Sequence, residues 1–356
     1  LRFSRINKNL FYICNKQQAT SNKQQATSNK QQATSNKQQA TSNKQQATSN
    51  KQQATSNMKN FDVIIIGGSY SGLSAGMALG RSLRNVLIID SGKPCNRQTP
   101  HSHNFLTQDG KTPKEISIIA REQVEKYNTV KFHDGVVVKT AKLDLGFEVE
   151  TEKGEKFKAK KLIIATGIKD IQPNIPGFAE SWGISVLHCP YCHGYEVKNE
   201  ITGILANGDI AFEFSKMILN WTKNLTLFTN GESSLSEEQT QKLKKKSINV
   251  NENEIEEIIH ENGQIQKLLF KNGQEFSLKA LYAKIPFKQN INVLEDLGCE
   301  MTEQGFIKVD PFQKTNIYGI YACGDNVTMM RSVATAIAQG NFAGAMVNKE
   351  LVDEQF

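Results

Sequence analysis

No apolar run in the 356 residues approaches the roughly 18 that a helix needs to cross a bilayer, so the pattern contains no membrane span. Residues 1–57 hold nine Lys and Arg but no Asp or Glu, and from Lys16 to Asn57 there is no aliphatic side chain larger than Ala. That stretch is the heptad Lys-Gln-Gln-Ala-Thr-Ser-Asn, copied six times without a change. A repeat with no apolar face buries nothing against its neighbours, which excludes a solenoid or coiled coil and predicts a disordered tail. Met58 follows the last copy directly, so translation is expected to begin there, with residues 1–57 a non-native extension. Setting the nine basic residues aside turns the formal net charge of +7 into −2, which removes any reason to expect nucleic acid or an anionic membrane as partner. Six cysteines, mostly scattered, are too few for a secreted disulfide framework, and the polar repeats exclude an ordinary signal peptide. The expectation is a cytoplasmic protein.

Beyond Met58 the pattern is α/β. Phe61-Asp-Val-Ile-Ile-Ile66 is a continuous apolar run ending at Gly67 and Gly68; Leu73 to Leu83 has helical spacing, and Asn85-Val-Leu-Ile-Ile-Asp90 reads as a second strand. Alternation from Val136 to Lys160 predicts a β-meander before the strand Leu162–Ala165. A second βαβ unit follows in Ile201–Ala206, Ile210–Leu219 and Leu225–Phe228, with turns at Asn262-Gly263 and Asn272-Gly273. The chain then returns through residues 315–325 to a final helix from about Thr328 to Glu350, taken as part of the first domain. Two Rossmann-like dinucleotide-binding domains are expected, the second inserted in the first: 58–172 with 291–356, and 173–290.

Gly67-Gly-Ser-Tyr-Ser-Gly72 lies between strand and helix, and Asp90 closes the next strand, 18 residues after Gly72. This is a dinucleotide fingerprint in its required context. Gly67 makes the sharp turn, Gly68, Ser69, Tyr70 and Ser71 bring helix amides toward a pyrophosphate, Gly72 lets the helix pack closely, and Asp90 accepts from a ribose hydroxyl. Ser69 departs from the pattern, standing where a second Gly allows the closest backbone approach. The competing reading is a tight turn without a ligand. Against it, Lys161-Leu-Ile-Ile-Ala-Thr-Gly167 and Gly319-Ile-Tyr-Ala-Cys-Gly-Asp325 resemble, in order, the two later signatures of two-dinucleotide-binding flavoproteins. The resemblance implies FAD in a three-layer ββα domain. Thr166, Gly167 and Gly324 would lie in its site, Asp325 would hold the ribityl chain, and Arg331 would belong to a segment lining the flavin.

His188-Cys-Pro-Tyr-Cys-His-Gly-Tyr-Glu196 carries the one recognisable cysteine spacing, Cys189 and Cys192. Two intervening residues allow a reversible disulfide, and neighbouring imidazoles or a helix N-terminus bring a thiol pKa from about 8.5 to between roughly 3.5 and 7.5. A zinc site using His188, Cys189, Cys192 and His193 is the alternative, but ligands so close in sequence leave little freedom for a tetrahedron, and no metal is expected. The segment is similar to the Cys-x-x-Cys of thioredoxin reductases in its place along the chain. That resemblance covers residues 58 to about 350 and implies that Cys192 faces the flavin, that Cys189 exchanges with the external substrate, and that a homodimer forms. His193 replaces the Asp usual in those enzymes and is the candidate acid–base. Cys-Pro-Tyr-Cys-His-Gly-Tyr-Glu also resembles the branch of dithiol oxidases that close disulfides in small natural products. A further feature of that branch, His101-Ser-His-Asn-Phe-Leu-Thr-Gln-Asp-Gly110, is expected near the flavin or pyrophosphate.

The second nucleotide turn is worn. In Ala206-Asn-Gly-Asp-Ile-Ala211 the first Gly has become Ala, and Phe228-Thr-Asn-Gly-Glu232 has no Lys or Arg before Lys242 to meet a 2′-phosphate. NAD(P)H therefore stays open as a cofactor. An intact dithiol beside a worn nucleotide turn favours an FAD-dependent thiol oxidase acting on a small-molecule dithiol. The rivals are an NAD(P)H-dependent reductase of a thioredoxin-like protein and, from another class, a redox-sensing protein that keeps FAD as a structural ligand.

Overall fold

In a computed structural model of the chain, the structure describes residues 60–290, 293 and 297–356, together with Thr20, Lys23 and Lys37. The tail expected at 1–57 and the start expected at Met58 otherwise lie outside the described residues. Residues 60–356 form a unit apart from 1–59.

The first sheet begins with β1 (Asn60–Ile66), α1 (Tyr70–Arg81), β2 (Val86–Asp90), α2 (Pro113–Glu125) and β3 (Val130–Asp134), then adds β4 (Val137–Leu143), β5 (Gly146–Thr151) and β6 (Lys156–Ile164). Strands β3, β2, β1 and β6 are neighbours and parallel; β5 and β4 continue antiparallel. Because both faces are covered, the strands are apolar throughout, and packing assigns the alternation. Val63, Ile65, Val86 and Ile88 join Leu73, Leu79 and Val124 on the helix side. Ile64, Ile66, Leu87 and Ile89 join Phe147, Val149 and Phe157 on the other. Each such side chain contributes roughly 1.5–3 kcal/mol by burial.

The middle of the chain supplies β7 (Ile168–Asp170), α3 (Phe178–Ser181), β8 (Val186–Leu187), α4 (Pro190–His193), β9 (Thr202–Leu205), α5 (Gly208–Ile218), β10 (Leu225–Phe228), α6 (Glu237–Lys245) and β11 (Asn249–Asn251). After these come β12 (Ile255–Glu261), β13 (Gln264–Phe270), β14 (Glu275–Ser277), β15 (Ala280–Ala283) and β16 (Phe287–Gln289). A parallel sheet runs in the order β11-β10-β9-β15-β8, and β12-β13-β14 form an antiparallel one. The expected turn between β12 and β13 is present: Asn262 and Gly263 both take positive φ, 51° and 80°, as a type I′ hairpin requires. The antiparallel pair β7 and β16 carries the chain out to this second layer set and back.

The return is completed by β17 (Ile320–Ala322), parallel to the Leu162–Ile164 end of β6, and by α7 (Val333–Gln355). The final helix was expected from about Thr328 to Glu350. It starts later because Ser332 is extended and caps it, accepting from the Thr335 amide. It ends later because Glu350 is anchored by Lys161 Nζ at 2.7 Å, Lys314 Nζ at 2.7 Å and the Tyr321 hydroxyl at 2.9 Å. Among the described residues no helix is long and apolar enough to cross a membrane.

Candidate active site

Gly67 has φ 104°, and a Cβ at either Gly67 or Gly72 would collide with a backbone carbonyl, that of Ala165 or of Gly67. Only glycine allows this turn. Ser69 caps α1 through extended backbone and makes no side-chain cap bond. The Asp90 carboxylate is aimed by two amides, accepting from Gly68 at 2.8 Å and Gly92 at 3.0 Å. From here a cleft of about 690 Å³ passes Gly67, Ser69, Tyr70, Ser71 and Asp90, then Thr166 and Gly167, and reaches Cys192, His193, Asp325 and Arg331. Four expected site residues stand outside its lining: Gly68, Gly72, Gly324 and Cys189. Gly68 acts through Asp90, Gly72 lies under the turn, and Gly324 donates its amide to Gln339 at 2.9 Å.

The cleft fits FAD. Its volume is in the range of cofactor sites, an acidic side chain sits at the end of β2, and the buried Asn96 Oδ1, Thr166 Oγ1 and Arg331 Nε atoms on its walls have no hydrogen-bond partner among the described residues. At the far end Arg331 makes a two-pronged pair with Asp170, 3.0 and 3.3 Å, and its Nε lies 3.6 Å from Asp325. Burial raises the Asp325 carboxyl, with Arg331 opposing. Asp170 was missed because nothing in an Ile-Lys-Asp strand marks it.

The dithiol begins α4. Cys189 is its extended N-cap, Pro190 takes the first helical position, and the Cys192 amide donates to the Cys189 carbonyl at 3.3 Å. The two thiols are unequal. A hydrogen bond from the Cys192 thiol, assisted by the Cys192 and Tyr191 amides and by Lys284, lowers Cys189 to about 7 against the cost of burial. Cys192, which keeps the shared proton and is half-buried, is pushed up by its bond to Cys189 and by desolvation. Burial lowers His193 to about 4, with Glu196 opposing, and lowers His188 to about 3, so both imidazoles are neutral at neutral pH. Among the described residues no three His, Cys, Asp or Glu side chains are grouped as metal ligands.

The first part of the loop 101–110, His101 to Asn104, lines the same cleft. Phe105 packs beside Tyr70, Ile116 and Ala336, and the loop is closed by Ser102 amide to Lys111 carbonyl, 2.8 Å, and Gly110 amide to Ser102 carbonyl, 2.9 Å. This puts His103 Nε2 3.6 Å from Glu196 Oε1. Tyr282 on β15 was also missed. Its buried hydroxyl has no partner among the described residues, and burial, then the charge of Cys189, raises it.

The second turn has another construction. Its left-handed residue is Gly208, φ 61°, and α5 starts there. Asn207 caps the helix: its Oδ1 accepts from the Gly208 and Ser234 amides and the Ser234 hydroxyl, and its Nδ2 donates to Glu232. Asp209 occupies the first helical turn, where an anion would bind, and is held by Gln239 at 2.7 Å.

Residues 61–340 match the family model described as pyridine nucleotide-disulphide oxidoreductase. Thioredoxin reductase tcpT of Claviceps purpurea is 33% identical over 302 residues, spanning 82% of this chain and 94% of that protein. A putative thioredoxin reductase TrxB from Bacillus anthracis superposes with a TM-score of 0.80 at 32% identity, over 83% of this chain and all of that one. An oxidoreductase from Agrobacterium tumefaciens gives 0.78 at 38% identity, covering 83% and 99% of the two chains.

Proposed function

Because the chain belongs to the pyridine nucleotide-disulphide oxidoreductase family, an FAD-using family here acting on sulfur groups, we propose that it is a dithiol oxidase. The observation that carries this reading is the contrast between an asymmetric dithiol whose Cys192 borders the open cleft and a second nucleotide turn whose polar groups are bonded to one another. Cys189 exchanges with the substrate and Cys192 lies toward the cofactor. His193, neutral and on the cleft wall, accepts the substrate thiol proton. FAD bound in the cleft would supply the two-electron acceptor, with oxygen or another oxidant as the final acceptor. Asp325 and Arg331 hold its site from the dithiol side; Asp90 and the 67–72 turn hold the other end. In this reading residues 58–172 and 291–356 carry FAD, residues 173–290 carry the dithiol, and the enzyme is a cytoplasmic homodimer acting on a small-molecule dithiol.

The relatives' name supports a second reading, an NAD(P)H-dependent reductase of a thioredoxin-like protein. An anaerobic titration separates the two, adding NADPH, NADH and then a dithiol while following flavin absorbance. Bleaching by dithiol alone, reversed by air, is the expected result. Rapid bleaching by either nucleotide would overturn it.

A further inference from the structure

Two motifs that are far apart in sequence meet beside the dithiol. His103 lies between two carboxylates, Nε2 3.6 Å from Glu196 Oε1 and Nδ1 3.7 Å from Asp109 Oδ1. Asp109 is fixed in turn by the Asn104 amide at 2.7 Å, and the His101 ring, 6.2 Å away, is tied to the Gly110 carbonyl. Side-chain exposure is 40% at Glu196, 21% at His103 and 66% at Asp109, so the series ends on its most exposed group, and the half-buried His193, which lines the same cleft as His103, feels the charges of both Glu196 and His103. Both separations exceed a direct hydrogen bond by a few tenths of an ångström, so proton transfer along the series needs a closer approach or a bridging water.

We propose that His103 and Glu196 are positioning residues forming the proton exit of the dithiol half-reaction, relaying to Asp109 the proton that His193 takes from substrate. The inference rests on the dithiol-oxidase reading. In the step, a substrate S–H bond breaks, the proton passes to His193 and the sulfur attacks Cys189 Sγ. The Cys189–Cys192 bond breaks with its electron pair on Cys192. The second substrate sulfur, also losing its proton, then displaces Cys189. The substrate is oxidised by two electrons to its disulfide and the enzyme disulfide is reduced. Of the two protons released, one stays on Cys192 and the other leaves through Glu196 and His103.

Burial makes a proton on His193 weakly held, so its use as a base depends on this exit. The other titratable groups facing the series are Asp109 and His101 on the loop, Tyr195 beside Glu196, and Tyr282 from β15.

The test is anaerobic stopped-flow reduction of the oxidised full-length holoenzyme by dithiothreitol from pH 6 to 9.5, for the parent chain, His103→Asn, Glu196→Gln and the double variant. Each single change is expected to slow reduction about tenfold at pH 7, with the curves converging near pH 9, where the dithiol arrives as thiolate. The double variant should be no slower than the singles, since both act on one path. Unchanged rates, or a slowing by the same factor at every pH, would overturn the relay. Glu196 is exposed enough for its amide variant to fold if His103→Asn does not. A parent chain that dithiothreitol fails to reduce would sink the oxidase reading itself.

Discussion

The two nucleotide turns begin from the same strand-turn-helix plan and end as opposites. In the first, the left-handed residue is Gly67, and α1 starts at Tyr70 behind a cap whose hydroxyl is uncommitted. In the second, Ala206 cannot take that conformation, the left-handed residue moves to Gly208, and Asn207 satisfies the amides that a phosphate would otherwise meet. A turn binds an anion only while its donors lack an internal partner.

The largest difference should come from adding one methyl group to each turn. Gly72→Ala drives a Cβ into the Gly67 carbonyl, so we expect loss of at least about 3 kcal/mol of stability and a flavin-to-protein ratio near zero. Gly208→Ala meets only the rotatable Ser234 hydroxyl at 2.9 Å, and its cost is the positive φ, about 1–2 kcal/mol, with flavin content unchanged. Equal losses in denaturant titrations would remove the distinction.

Thiol reactivity sharpens the same contrast on the open side. Alkylation of the reduced enzyme, assigned by peptide mass, should rise about fiftyfold at Cys189 between pH 5 and 7, following its pKa of about 7. Cys95 is exposed on the same cleft, but the protein atoms crowded around it and the Asp325 carboxylate push its thiol up to about 12, so it should react more slowly than Cys189 throughout. Similar curves for both would show that α4 does not set the asymmetry.

Opening the closed turn should have a smaller effect. Asn207→Gly with Ser234→Arg frees the helix amides and adds a phosphate partner, so NADPH affinity by calorimetry should rise about thirtyfold, near 2 kcal/mol. No gain would mean that Asp209 or the changed backbone path, rather than Asn207, keeps the turn shut.

The smallest effect is on acid stability. His188 and His193 have folded pKa values, about 3 and about 4, below the unfolded value near 6.5, so the unfolded chain binds more protons in between. Their contribution is complete above about pH 6.5 and is lost as pH falls through 4 toward 3, about 1–2 kcal/mol for the two together after screening. Replacing both with Asn should flatten the Tm profile between pH 7 and 4.

Much of this was legible in residue order because it is local. The 67–72 turn needs glycine, the βαβ units need their apolar runs, and the dithiol needs two cysteines at helix-turn spacing. The motif 101–110 was visible too, but its chemistry was not, since it depends on Glu196, 93 residues after His103. Asp170, Lys284 and Tyr282 carried no signal at all. They are ordinary strand or strand-end residues until the β7–β16 and β8–β15 pairings bring them to Arg331 and Cys189.

By itself the sequence determined the family, the α/β layers, the glycine turn at 67–72 and the close spacing of Cys189 and Cys192, because each depends on side chains or backbone freedoms within a few residues of one another. Only the tertiary structure decided which thiol holds the proton, which cap closes the second turn and which carboxylates border His103. Those are set by burial and by distances of a few ångströms between segments that meet only when the sheets assemble.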